Sequence, residues 1–360
     1  MLKHLKMLVI SIFLIGLILS CGKMPDKKVG VIIPLTGNLG FVGESFRNGM
    51  LIAEVDKNDQ QSIFDFQDSQ NDPKIGLSIY QKMTQISGYK VIVPIMSSVA
   101  AAIVSQKPSI TILTSVVSDS RITQTDHVFR YFLSSDKETR RMAEFMVKQK
   151  KMKTAIIYVN DDFGQDAYNC FKSVYTVNGG SLVYEEGYDK SITNFRTVIN
   201  KAVTGKPEAV YIIGYGNALG ILSKQLRETK YKGDIMTFSS FSAPKVIEQA
   251  GTAAEGVYLT ATPFDANNPI SDKQKKFIEA YRVKYGKLPD HYAAFGYDVA
   301  DLLLSAIGSG KIDMHKLEAN LSGQRNYQGL MGNVSCDEQR DFQFTANVKI
   351  IKNGKPEIVE

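Results

Sequence analysis

The chain has 360 residues, 44% of them hydrophobic, which is material for about two domains of ~100–200 residues with a core each. Its 43 basic and 37 acidic residues leave +6, but the charge is spread out and its densest runs, 148–153 and 273–276, fall on polar helix faces, so it carries no argument for nucleic acid. Three cysteines without a Cys-x-x-Cys and four scattered histidines give no metal-ligand spacing, and no metal or cofactor is expected.

Residues 1–20 read as an export signal: Lys3, His4 and Lys6 form a cationic start, and an uncharged, mostly aliphatic run follows from 7 to 20. That run is short of the roughly 20 apolar residues of a membrane-spanning helix. It stops at Ile18-Leu19-Ser20-Cys21, which resembles a bacterial lipobox, although Leu19 is larger than usual there. In that reading Cys21 is lipidated, 21–27 is a polar tether, and the chain is an exported lipoprotein facing the periplasm or cell exterior. Of the other cysteines, Cys170 and Cys336, the compartment permits pairing and the spacing leaves it open.

From residue 28 onward, Ile- and Val-rich runs of four to six residues alternate with segments of 3.6-residue periodicity. Strands are expected at 29–34, 63–67, 90–93, 110–114, 128–132, 154–159, 181–186, 209–213, 235–239 and 257–260. Helices are expected at 46–55, 75–86, 137–148, 165–177, 195–203 and 219–227. This pattern predicts an α/β chain with doubly wound parallel sheets. The alternation starts afresh near 154, which gives two series. Helices at 273–285 and 292–307 and strands at 327–333 and 342–351 follow, either as a return to the first lobe or as an appendage.

The corner "GNLGFVG", 37–43, resembles a phosphate loop only loosely. Its glycines follow G-x-x-G-x-x-G where a dinucleotide loop needs G-x-G-x-x-G. Glu44 in the first helical turn would also repel a phosphate. In "VIVPIMSSVAAAI", 91–103, Ser97 and Ser98 precede a helix of small residues, either as N-caps or as part of a carboxylate site made by the helix N-terminus. "ITILTSVVSDSRIT", 110–123, repeats the theme with Ser118. Adjacent strand ends of this kind form a crevice at the carboxyl edge of an α/β sheet. Asp161 and Asp162 read as helix-cap and dipole partners before a metal pair. His127, His291 and His315 have no nucleophile in a recognisable arrangement, and no enzyme is expected.

The stretch "VGVIIPLTGNLGFVGESFRNGMLIAEVDKN" is similar to the start of type I periplasmic solute-binding proteins of the branched-chain amino acid-binding family. The likeness continues in order through "VIVPIMSSVAAA", "ILTSVVSDSRIT", "VNDDFGQDAYNC", "GKPEAVYIIGYGNALG", "AAEGVYLTATPF" and "HYAAFGYDVADLLLSAI". It implies two Rossmann-like lobes, 28–136 with 264–340 and 137–263 with 341–360, joined by three hinge strands near 134–139, 262–265 and 337–342. It also implies a ligand carboxylate held by N–H groups and hydroxyls at Ser97, Ser98, Val116 and Ser118, and aromatics over the ligand at Phe163 and Tyr215. Amino-acid-binding relatives place a carboxylate for the ligand ammonium on a second-lobe loop. The matching stretch here, "FSSFSAP" at 238–244, has Ser240 and Phe241 instead. Either another acid reaches in, with Glu44, Asp119 and Asp265 as candidates, or the ligand lacks that ammonium. In the latter case Phe41, Phe163 and Phe241 would face an apolar or aromatic body. The resemblance implies a lipid-anchored, monomeric binding protein that captures an amino acid or related small molecule by closing its lobes and hands it to an ABC permease. The same architecture also serves solute sensors and envelope regulators, and no residue here separates the two.

Overall fold

The computed structural model describes residues 27–57 and 62–359; the export signal and Cys21 lie outside the described residues. β1 (Val29–Ile33), β2 (Phe64–Asp68), β3 (Val91–Pro94), β4 (Thr111–Thr114) and β5 (Val128–Arg130) form a parallel sheet in the order β2-β1-β3-β4-β5. Every residue of β1, β3 and β4 is buried, as in a sheet covered on both faces. Helices α1 (Gly40–Asp56), α2 (Pro73–Gln81) and α3 (Ser97–Val104) connect these strands.

The second sheet takes β6 (Lys153–Val159), β7 (Ser181–Tyr188), β8 (Ala209–Ile213), β9 (Asp234–Thr237) and β10 (Val257–Ala261), all parallel. With them go α4 (Ser135–Lys148), α5 (Asp162–Val177), α6 (Arg196–Thr204), α7 (Asn217–Glu228) and α8 (Pro244–Ala250). One apolar cluster, with Ile32, Ile92, Val99 and Ile112, fills one face of the first sheet, and another, with Phe145, Ile156, Phe171 and Tyr211, one face of the second. A larger cluster covers the opposite faces of both. The architecture is two doubly wound α/β lobes, as the alternation predicts.

After β10 the chain returns to the first lobe. There α9 (Asp272–Tyr285) and α10 (His291–Ile307) lie against α1. Two glycines make that contact possible. A Cβ on Gly49 would sit 1.8 Å from the Ala293 carbonyl oxygen, and one on Gly296 2.0 Å from that of Phe46. After α11 (Met314–Ser322), the strands β11 (Tyr327–Gly329), β12 (Gly332–Cys336) and β13 (Phe342–Gln343) form a small antiparallel sheet. Buried Asp298 of α10 pins it by accepting from the N–H groups of Leu330 (2.7 Å) and Met331 (3.1 Å) and from the Tyr131 hydroxyl (2.8 Å).

The late strands differ from expectation. The run 327–333 splits into β11 and β12 because the chain reverses at Leu330 and Met331, with Gly332 at a φ of +87° as it enters β12. The run 342–351 splits because β13 pairs with β12 while β14 (Asn347–Lys352) joins β10 antiparallel, so the chain changes sheet between them. Asn353 and Gly354, with φ of 51° and 72°, then turn the chain into β15 (Lys355–Ile358). The second sheet thus reads β15-β14-β10-β9-β8-β6-β7. The chain passes between the sheets at 131–134, 262–271 and 344–346, so the third crossing lies beyond the expected 337–342, because Phe342 and Gln343 still pair with β12. Cys170 and Cys336 are both free thiols.

Candidate functional site

The carboxyl ends of both sheets face a shared cavity of about 530 Å³, within the usual range for a small-molecule site. In the first lobe, β3 and β4 end alike. Ile95 and Ser115 form a parallel bridge, and the next residues, Met96 and Val116, take left-handed φ of 79° and 54°. For a β-branched valine this backbone is strained, at a cost of ~1–3 kcal/mol, and such strain concentrates at binding sites. Met96 is the N-cap of α3 and offers no side-chain hydrogen bond. Ser97 and Ser98 therefore lie inside the first turn and do not cap it, leaving its N–H groups without a side-chain partner. The Ser118 N–H donates to Ser97 Oγ at 3.4 Å and ties the two loops together. Behind them the wholly buried Arg130 donates to the Val117 carbonyl at 3.0 Å and pairs with Asp341 at 2.7 Å.

The helices α1 and α7 also start without a side-chain cap, at Leu39 and Gly216, and both residues stand in the cavity wall. Uncapped N-termini at one cavity present N–H groups and positive dipole ends, an environment suited to a carboxylate.

The second lobe supplies aromatic rings. Phe163 lies 5.7 Å from Tyr215 and 5.4 Å from Phe238, centroid to centroid. The Tyr215 hydroxyl donates to Asp161 Oδ2 at 2.5 Å, while Asp161 Oδ1 caps α5 by accepting from the Gly164 N–H at 3.0 Å. Burial, together with that carboxylate, pushes the Tyr215 phenol far above its ordinary value, so it stays a neutral donor. Ser240 Oγ donates to the Gly214 carbonyl at 3.2 Å.

Ser97, Ser98, Val116, Ser118, Phe163, Tyr215 and Ser240 all stand in this one wall. Phe41 and Phe241 do not. The 3₁₀ turn Ser239–Ser242 folds Phe241 inward, where it is wholly buried in the core. Phe41 instead meets Tyr292 edge-on at 6.4 Å with the Lys245 ammonium 5.4 Å above its ring. Of the acids considered for a ligand ammonium, Glu44 pairs with Lys287 at 3.6 Å, and Asp265 pairs with Lys349 at 3.2 Å in a separate crevice. Asp119 is in the wall, but the Arg121 guanidinium holds it with two bonds of 2.9 Å. Against the cost of burial, those bonds keep Asp119 below the usual carboxylate range. Arg121 also pairs with Asp166 of α5, which closes an ion pair across the cavity mouth.

Sequence reasoning missed Glu138, Phe238, Leu39 and Tyr292, which share the wall. Glu138 is 2% exposed. Its carboxyl accepts from the Ser239 N–H (2.9 Å), from Ser239 Oγ (3.0 Å) and from the Thr260 hydroxyl. Burial pushes it up to about 7 in spite of these donors.

The sequence pattern of the periplasmic binding protein family matches residues 27–353. Leu/Ile/Val-binding protein homolog 2 of Brucella abortus is 23% identical over 330 residues, 88% of this chain and 87% of that protein. The crystal structure of the leucine binding protein LivK from Thermotoga maritima superposes with a TM-score of 0.85 at 25% identity, covering 92% of this chain and 97% of that one. A solute binding protein from R. palustris, solved in complex with benzoate, shares the fold with the same TM-score of 0.85 at 19% identity, over 92% and 95% of the two chains.

Proposed function

This chain belongs to the periplasmic binding protein family, and we propose that, as a member of its type I, branched-chain amino acid-binding branch, it captures a small carboxylate with an apolar body between its lobes and passes it to an ABC permease. The observation that carries this reading is the convergence of uncapped helix starts at Leu39, Ser97 and Gly216 and the rings of Phe163, Tyr215 and Phe238 on one cavity. The carboxylate goes to the first-turn N–H groups of α3 and the hydroxyls of Ser97, Ser98 and Ser118. The body rests on the rings of the second lobe, with Ser240 at its edge. Leucine and benzoate, bound by relatives as their names state, both fit that description. The protein's role is capture, not turnover, in keeping with those binding proteins.

Closure follows from differential affinity: a solute that touches both lobes favours the closed form, and the permease reads that form. The hinge lies at the chain crossings 131–134, 262–271 and 344–346. Export through residues 1–20, a lipid on Cys21 and a monomeric state complete the reading. A thermal-shift screen of the mature chain against amino acids and aromatic or aliphatic carboxylates tests it. A solute at 100 times its Kd adds about 2.7 kcal/mol. The chain has no Trp, so a dye reports the melt. Ser118→Ala combined with Tyr215→Ala should weaken the best hit at least tenfold; unchanged affinity would place the site elsewhere.

A further inference from the structure

We infer that Glu138 supplies the negative charge that the loop 238–244 lacks, and that it makes the cavity choose between amine-bearing and amine-free carboxylates according to pH. This deepens the proposed function and rests on it. The loop carries no acid of its own, yet the peptide N–H of Ser239, its second residue, is already bound to a carboxylate that arrives from α4, 101 residues earlier in sequence. The same carboxyl accepts from the hydroxyls of Ser239 and Thr260, which fixes it beneath the loop. Glu138 and Ser239 both belong to the cavity wall. Of the other wall acids, Asp119 and Asp166 are engaged by Arg121 and Asp161 by Tyr215 and Gly164, while Asp162 is exposed to solvent at the first turn of α5.

The charged and titratable groups on elements around α4 do not offset this carboxyl. Tyr211 of β8 and Tyr292 of α10 stay neutral phenols, pushed far up by burial. Lys349 of β14 is paired with Asp265, and Tyr258 of β10 lies tilted against Phe145, 5.4 Å between ring centroids. On α5, Asp166 faces Arg121, Cys170 is a free thiol and Lys172 pairs with Glu185.

The consequence has opposite signs for two kinds of ligand. An ammonium beside Glu138 favours its ionised form, so binding releases a proton and weakens as pH falls below 7. An amine-free carboxylate favours the protonated form, so its binding strengthens as pH falls. The linked change approaches tenfold per pH unit at the limit.

The experiment uses matched probes: leucine with 4-methylpentanoate, and phenylalanine with 3-phenylpropanoate. Each is titrated calorimetrically into the mature protein from pH 5.5 to 8.5, alongside Glu138→Gln. The expected result is slopes of opposite sign within each pair, both flattened in Glu138→Gln, with the ratio of amino acid to desamino affinity falling at least tenfold at pH 8. Parallel slopes, or slopes that survive Glu138→Gln, overturn the inference. If none of the probes binds, the proposed function falls, and Glu138 is judged by a ligand-free carbon-13 titration of its carboxyl. A midpoint near 7 supports it, and one below 5 overturns it.

Discussion

At Val116 a β-branched side chain is held at a φ of 54° and is 9% exposed, while its neighbour Val117, 1% exposed, has no such backbone. Val116→Gly should therefore change stability by less than about 1 kcal/mol, because ~1–3 kcal/mol of released strain offsets the lost burial. Val117→Gly has no strain to release and should cost about 3 kcal/mol, through lost burial and glycine entropy. Urea unfolding of both decides the matter, and equal losses would contradict it. Glu138 makes a second prediction at this scale. Its folded carboxyl, near 7, binds a proton more tightly than the unfolded one near 4.3. The associated stability is complete at low pH and is lost as pH rises through 7, to a total of ~4 kcal/mol. Relative to Glu138→Gln, the wild-type protein should lose stability between about pH 4.5 and 7, as followed by melts across that range. Ser97 and Ser118 could be read from sequence because they follow strand ends, and strand ends form the crevice; Tyr215 was legible only through the family resemblance. Glu138 could not, because its role comes from contact with Ser239, and nothing local in "SDKETRRM" marks it apart from a solvated helix start. Phe241 misled for the converse reason. An aromatic in a binding loop points in or out according to a 3₁₀ turn that composition does not encode.

Helices α1 and α10 meet backbone to backbone, with Gly49 under the Ala293 carbonyl and Gly296 under that of Phe46. Any Cβ at either place must push the helices apart, because the obstructing atoms are main chain. Gly49→Ala and Gly296→Ala should each cost ~1–3 kcal/mol or more, despite alanine's better helix propensity. Their losses should not add in the double variant, since the first substitution already separates the pair. A gain in the melting temperature of either single variant would refute this. The βα units were legible because buried parallel strands write themselves as Ile and Val runs. The edges were less so. The "KNGK" hairpin joining β14 to β15 carried a clear Asn-Gly turn signal that the reading passed over. The division of 342–351 between two sheets had no periodicity to announce it. Helices α8 and α11 were too short to show a stripe, although Pro244 and Asp313 mark their starts.

Across the whole molecule, the Arg121 guanidinium joins Asp119 of its own lobe to Asp166 of the other, at the mouth of the cavity. Exposed ion pairs contribute ~0–1 kcal/mol. That is small for stability but several-fold for an equilibrium between open and closed forms. Asp166→Asn should loosen closure, lower ligand affinity two- to fivefold and remove part of its salt dependence, with a larger radius of gyration in the ligand-free protein by small-angle scattering. An affinity and a salt response equal to wild type would show that the pair does not latch the lobes. The order of elements forecast two lobes, but only three-dimensional pairing decides that the chain returns to the first lobe and does not form an appendage. That return has a consequence for biogenesis. The apolar face of α1 is not covered until α10, ending at residue 307, has been made, and β14 reaches its sheet only from residue 347. A chain emerging from its amino end thus carries an unfinished first half until late in translation. The first lobe is left incomplete until the last third of the chain is present.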